Sequence, residues 1–228
     1  MSMRSLLNRV SMKTLGYLCS AAIAIPAVGA AEFWVWQNAR KVFDGRAEAT
    51  YWFAEDSSVT SAFHVEQKNW QDVPVRTVHL YDGFELGRDQ MQWYDEYGNE
   101  LDWQAVKAGD RLWRYEAKLR TPVDRRDWIR YTVWVRNLHP ETMAHEGQQW
   151  GIYKEENGDW VFHNNTALGP ENTVSMVFPP NTEILLAEPA NRATVKSGGY
   201  CPTVRFDDLR EPHNVKWRLQ EQAESNSD

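Results

Sequence analysis

Met91-Gln92-Trp93-Tyr94-Asp95-Glu96-Tyr97-Gly98-Asn99-Glu100-Leu101-Asp102-Trp103 opens the stretch whose reading decides the fold, and two further runs complete it. In Leu112 to Leu119, Trp113, Tyr115, Ala117 and Leu119 alternate with Leu112, Arg114, Glu116 and Lys118. In Trp128 to Arg136, Ile129, Tyr131, Val133 and Val135 alternate with Trp128, Arg130, Thr132, Trp134 and Arg136. Successive side chains of a strand point to opposite faces, so a period of two over such lengths predicts half-buried β-strands.

The same alternation extends in both directions. Ala47, Ala49, Tyr51 and Phe53 share one face of a strand, and Val59, Ser61, Phe63 and Val65 share a face of the next. A strand from Val75 to Tyr81 follows the turn around Pro74. Asp95-Glu96-Tyr97-Gly98-Asn99 is flanked by strand-like runs and predicts a hairpin, and Glu155-Glu156-Asn157-Gly158 predicts a second. Asn-Gly is the stronger signal, because both residues tolerate positive φ. Val174 to Phe178, Ile184 to Leu186, Val204 to Phe206 and Val215 to Leu219 supply the last strands. About ten or eleven short strands, about 8–12 residues apart, are the pattern of a sandwich or barrel. No helix-period segment suits a βαβ unit, and no long repeat suggests a propeller or solenoid. The expected fold is all-β, a mainly antiparallel, immunoglobulin-like β-sandwich. One short N-terminal helix through Trp36, Ala39 or Arg40, and Phe43 is allowed, with a strand at 33–36 as the alternative.

The N-terminus reads as an export signal. Arg4, Arg9 and Lys13 precede the apolar run Leu15 to Val28, and small residues through Ala30 and Ala31 follow. A basic region, a short apolar region and small residues form a secretory signal peptide. The apolar run is shorter than the ~20 residues that span a bilayer, and Pro26 sits within it. The expected organisation is a signal over 1–31, one β-domain over 32–219 and an acidic, apolar-poor tail over 220–228. The mature protein is thus expected in the periplasm or outside the cell, with no stable membrane span after cleavage. Leu18 before Cys19, where a small residue is needed, argues against lipidation.

The formal charge is -7 over 228 residues. Loss of the signal's three cations takes it to about -10. Nucleic acids and anionic membranes select for Lys and Arg, so neither is an expected partner. Cys201 is the only cysteine left after the signal, which excludes an intramolecular disulfide. Within Gly198-Gly199-Tyr200-Cys201-Pro202 it is either a small buried residue or a reactive or intermolecular thiol.

Chemistry-bearing patterns are few. His139, Glu141, His145 and Glu146 crowd one loop and are zinc-type ligands, but their order is not His-Glu-x-x-His. No Gly-x-Ser-x-Gly, phosphate loop or Cys–His arrangement is present, and the carboxylates cluster in turns. No cofactor is expected. The strand 128–136 offers more: Trp128, Arg130, Trp134 and Arg136 share the face opposite the aliphatic one. They form either a contact platform or a self-covered ladder of Arg stems over Trp rings. Trp36, Trp52, Trp70, Trp103 and Trp160 suit either role. The function expected is therefore a non-enzymatic binding or accessory domain that uses this aromatic/Arg face for a protein partner. A carbohydrate-binding module is the first alternative, and a metal-dependent hydrolase at the 139–146 loop the second.

Three stretches carry a family resemblance: Ser61 to Asn69, Tyr131-Thr132-Val133-Trp134-Val135, and Phe178-Pro179-Pro180-Asn181-Thr182-Glu183-Ile184. Together they resemble the N-terminal β-sandwich of M1-type aminopeptidases and kindred exported β-sandwich domains, over about residues 46–190. The resemblance implies fold only. Those enzymes carry zinc and catalytic residues in a separate following domain, so nothing catalytic transfers to this chain.

Overall fold

Alternation of buried and exposed residues is realised almost strand for strand in a computed structural model. It describes residues 45–82, 85–110, 112–139, 150–164, 172–209 and 211–220. Its strands are β1 (Gly45–Phe53), β2 (Val59–Lys68), β3 (Val75–Asp82), β4 (Met91–Asp95), β5 (Trp103–Gly109), β6 (Leu112–Val123) and β7 (Trp128–Leu138). They continue as β8 (Trp150–Lys154), β9 (Trp160–Asn164), β10 (Asn172–Val177), β11 (Thr182–Glu188), β12 (Ala193–Lys196), β13 (Thr203–Phe206) and β14 (His213–Leu219). No described residue is helical, and the helix expected near Phe43 lies outside the described residues.

The strands form three sheets. Seven are ordered β12-β13-β10-β1-β2-β7-β4, four β11-β14-β9-β8, and three β3-β6-β5. Every ladder is antiparallel except β1 with β10, which pair in parallel from Ala47↔Asn172 to Trp52↔Val177. A parallel pair needs a long crossover, and here the intervening chain builds the other two sheets.

The expected hairpin at 95–99 forms only as a turn. Asp95 Oδ1 accepts the Tyr97 and Asn99 backbone N–H groups at 2.9 and 2.8 Å, and Gly98 takes φ +79°. Beyond it only Tyr94 and Glu100 bridge. β4 then pairs with β7, while β5 pairs with β6 in the three-stranded sheet. The switch buries Leu101 and Trp103 between sheets, with Trp103 edge-on to Tyr115 at 5.7 Å. Local turn chemistry was read correctly, but the gain from burying two large side chains chose the partner strand. The Asn157-Gly158 hairpin forms as expected, with Gly158 at φ +89° and β8 paired to β9.

The core is continuous through all three sheets. Tyr51 and Phe53 on the seven-stranded sheet meet Phe162 and Trp217 on the four-stranded one, with ring centroids 4.9–6.0 Å apart. Phe178 stacks on Phe53 at 4.9 Å. These contacts define the sandwich. Each fully buried aromatic stabilises the fold by about 1.5–3 kcal/mol through burial alone. Val78, Tyr115 and Ala117 bring the three-stranded sheet into the same core, and the Tyr115 hydroxyl accepts the Leu86 N–H at 2.7 Å. Burial pushes the Tyr115 hydroxyl up to about 12, with Leu86 opposing.

One core residue is unusual. His213, at the start of β14, has no exposure and lies between Phe162 and Phe206, 5.7 and 5.5 Å away. Among the described residues, no side chain pairs with either ring nitrogen. Burial lowers its pKa to about 4, with the Glu211 backbone opposing the shift. The sequence pattern Asn164-Asn165-Thr166 suggests a glycosylation acceptor, yet Asn164 is buried.

Candidate functional site on the outer face of the seven-stranded sheet

β1, β2 and β7 lie side by side at the middle of the seven-stranded sheet. Their inward residues build the core, so their outward residues are fixed on a rigid floor. Thr50, Trp52, Thr60, Ala62, His64, Glu66, Trp128, Arg130, Trp134 and Arg136 belong to this outer face by alternation. Register then decides what stands beside what. Trp52 lies opposite Thr60, and Trp134 lies opposite Ala62. Because both β2 residues are short, the two indoles reach across them and stack, centroids 5.5 Å apart and planes inclined by 7°. Trp52 remains 37% exposed. Such a stacked pair contributes about 0.5–1.5 kcal/mol beyond burial, and its outer edge remains wet.

Arg130 is committed elsewhere. Its Nε donates to Glu66 at 3.2 Å and its terminal nitrogen to Glu96 at 3.1 Å. Glu66 also accepts from Arg46 Nε at 2.9 Å. The Arg46 hydrogen bond holds the Glu66 carboxyl below the usual carboxylate range, aided by Arg130 and opposed by partial burial. On the same row, His64 Nδ1 lies 3.1 Å from the Thr132 hydroxyl. This band of paired charges separates two aromatic groups. Beyond it, Lys68 Nζ sits 5.8 Å from the Trp128 ring and 5.0 Å from Trp70. Trp128 and Trp134 are six residues apart on one strand, or about 20 Å. The four residues expected as a single surface thus fall into separate neighbourhoods. Only Trp134 and Arg136, which stands exposed, share one.

The remaining candidates are placed as follows. His139 is exposed just beyond β7, whereas Glu141, His145 and Glu146 lie outside the described residues. Among the described residues, no three His, Cys, Asp or Glu side chains gather as a metal site. Cys201 is a half-buried free thiol between β12 and β13, next to Tyr200, which is 84% exposed.

Trp52 is the side chain of this face whose role the sequence left open. Its pairing with Trp134 depends on two ladders, β1 to β2 and β2 to β7. A single sequence carries no signal for that register.

No protein-family model matches the chain, and no curated protein matches its sequence. Solved structures are similar in fold. A two-domain M1 zinc metallopeptidase bound to L-tryptophan superposes with TM-score 0.48 and 12% identity, over 76% of this chain and 41% of that one. The M1 zinc metallopeptidase from Deinococcus radiodurans gives 0.46 and 12% over the same shares. Leukotriene A4 hydrolase from Saccharomyces cerevisiae gives 0.44 and 9%, over 75% of this chain and 28% of that one. This chain therefore spans about two fifths of the metallopeptidases it matches. The likeness is to an M1 peptidase domain and is one of fold, in agreement with the resemblance read from the sequence.

Proposed function

We propose that this chain is an exported, non-catalytic binding domain whose working surface is the outer face of the seven-stranded sheet, centred on Trp52 and Trp134. The observation that carries the reading is their stack, 5.5 Å between centroids, part-exposed beside a band of paired charges. Large aromatics are normally drawn into the core, where twelve Trp and three sheets offer room. A pair left outside, on a floor fixed by the core beneath, is preorganised for contact at little entropic cost. Arg130 contributes to the face by tying β2 to β7 and to the turn at Glu96, and not as a free cation.

The test is comparative capture from the native exported fraction. Immobilised domain, a Trp52→Ala/Trp134→Ala double variant and a Trp128→Ala variant are compared, and bound protein and bound glycan are both quantified. The expected result is a ligand retained by the first and third and lost by the second. Equal recovery on all three ends the reading.

A further inference from the structure

We infer that the Trp52–Trp134 pair is a subsite for an uncharged sugar ring, so that the ligand of the surface proposed above is a neutral glycan. This rests on that surface being the working one. Three features select the chemistry.

The first is size. A Trp side chain offers about 150–250 Å², so Trp52, 37% exposed, leaves roughly 100 Å² or less of free indole. An exposed aromatic area of that size matches the apolar face of one pyranose ring.

The second is charge. Glu66, Arg46, Arg130 and Glu96 neutralise one another in the band beside the pair. The ladder sets Val177 and Thr60 opposite Trp52, and Ala62 and Gln92 opposite Trp134, with Thr50 and Ser175 paired two residues along, all uncharged. A phosphate or polyanion finds no cluster of cations here. A polyol finds the hydroxyl-bearing Thr50, Thr60 and Ser175 and the amide of Gln92 at neighbouring register positions, and the exposed Arg136 two residues beyond Trp134 adds a donor.

The third is rigidity. Strands β1, β2 and β7 are backed by Tyr51, Phe53, Tyr131, Val133 and Val135, all buried, so the two rings are held before a ligand arrives. Sugars have many competing hydrogen bonds to water, and a pre-set stacking surface is what tips the balance.

The experiment is a titration of the mature domain, followed by Trp fluorescence and calorimetry. The probes are neutral hexasaccharides of β-1,4-glucose, β-1,3-glucose, xylose, mannose, galactose and N-acetylglucosamine, with hexauronate as the charged comparison. At least one neutral probe is expected to bind. Trp52→Ala and Trp134→Ala should each weaken it by about tenfold or more, with the far-ultraviolet spectrum unchanged. Trp128→Ala, about 20 Å away, should leave it unaltered. Absence of binding by every neutral probe overturns the inference, as does binding that survives both substitutions or that only hexauronate shows. If the capture experiment still loses a protein ligand in the double variant, the surface stands and only the ligand class has failed. If capture shows no difference either, the surface itself is wrong.

Discussion

Phe53 and Trp52 are neighbours on one strand and live in different solvents. Phe53 points inward and touches Phe162, Phe178 and Trp217, with 5% of its surface exposed. Trp52 points outward, finds Trp134 as its ring partner among the described residues, and remains 37% exposed. The same contrast runs along β7, between buried Tyr131 and half-buried Trp134. Composition treats all of these as aromatic residues of a β-protein. The difference lies in what faces them among the described residues: a second sheet on one side, and on the other the side chains of the same sheet.

That contrast is measurable. Phe53→Ala should cost about 3–5 kcal/mol in urea unfolding, through lost burial and an unfilled cavity. Trp52→Ala should cost about 1 kcal/mol, the scale of one exposed aromatic pair. Equal losses would mean that the outer face is also core, covered by some part of the protein.

The next effect tests the inner side alone. Burial holds His213 at about 4, below its ordinary 6.5, so the unfolded chain takes up a proton that the folded one refuses. The stabilisation this group gives is therefore complete above the unfolded value and is lost as pH falls from there toward the folded one. Between about pH 7.5 and pH 5 the loss should be about 2 kcal/mol by linkage. His213→Phe should flatten that part of the urea-derived pH profile, leaving the carboxylate losses at lower pH. An unchanged profile would mean that the imidazole takes its proton without disturbing the core.

Smaller effects divide the outer face. A double-mutant cycle on Trp52 and Trp134 should give a coupling of about 0.5–1.5 kcal/mol. The cycle on Lys68 and Trp128 should give about 0.5 kcal/mol, as an exposed cation–π contact. Any coupling between Trp128 and Trp134 should be within error, because the Arg130–Glu66–Glu96 band lies between them. A measurable coupling there would restore the single continuous surface expected from the sequence.

Strand identity was legible because it depends on the alternation of each residue with its nearest neighbours. Ile129, Tyr131, Val133 and Val135 were assigned to the core by period alone, and all four are buried. The Gly158 turn was legible for the same reason, since φ +89° is a local demand. The β4–β5 hairpin was misread because its turn is right while its continuation answers to a distant sheet. The candidate surface was half legible. Alternation put Trp128, Arg130, Trp134 and Arg136 on one face, but nothing in one sequence separated them into a salt-bridged middle and two aromatic ends. It also did not show that the important neighbour of Trp134 comes from β1.

By itself, then, the sequence determined the class of fold, the strands and the two sides of each strand, because side-chain direction in a strand follows from backbone geometry over two or three residues. Tertiary structure alone decided which strands adjoin, and hence that Trp52 meets Trp134 across Ala62 while Arg130 is consumed by Glu66 and Glu96. Those contacts join residues 34 to 82 positions apart. They are set by the total burial of three sheets at once, a quantity that no short stretch of chain contains.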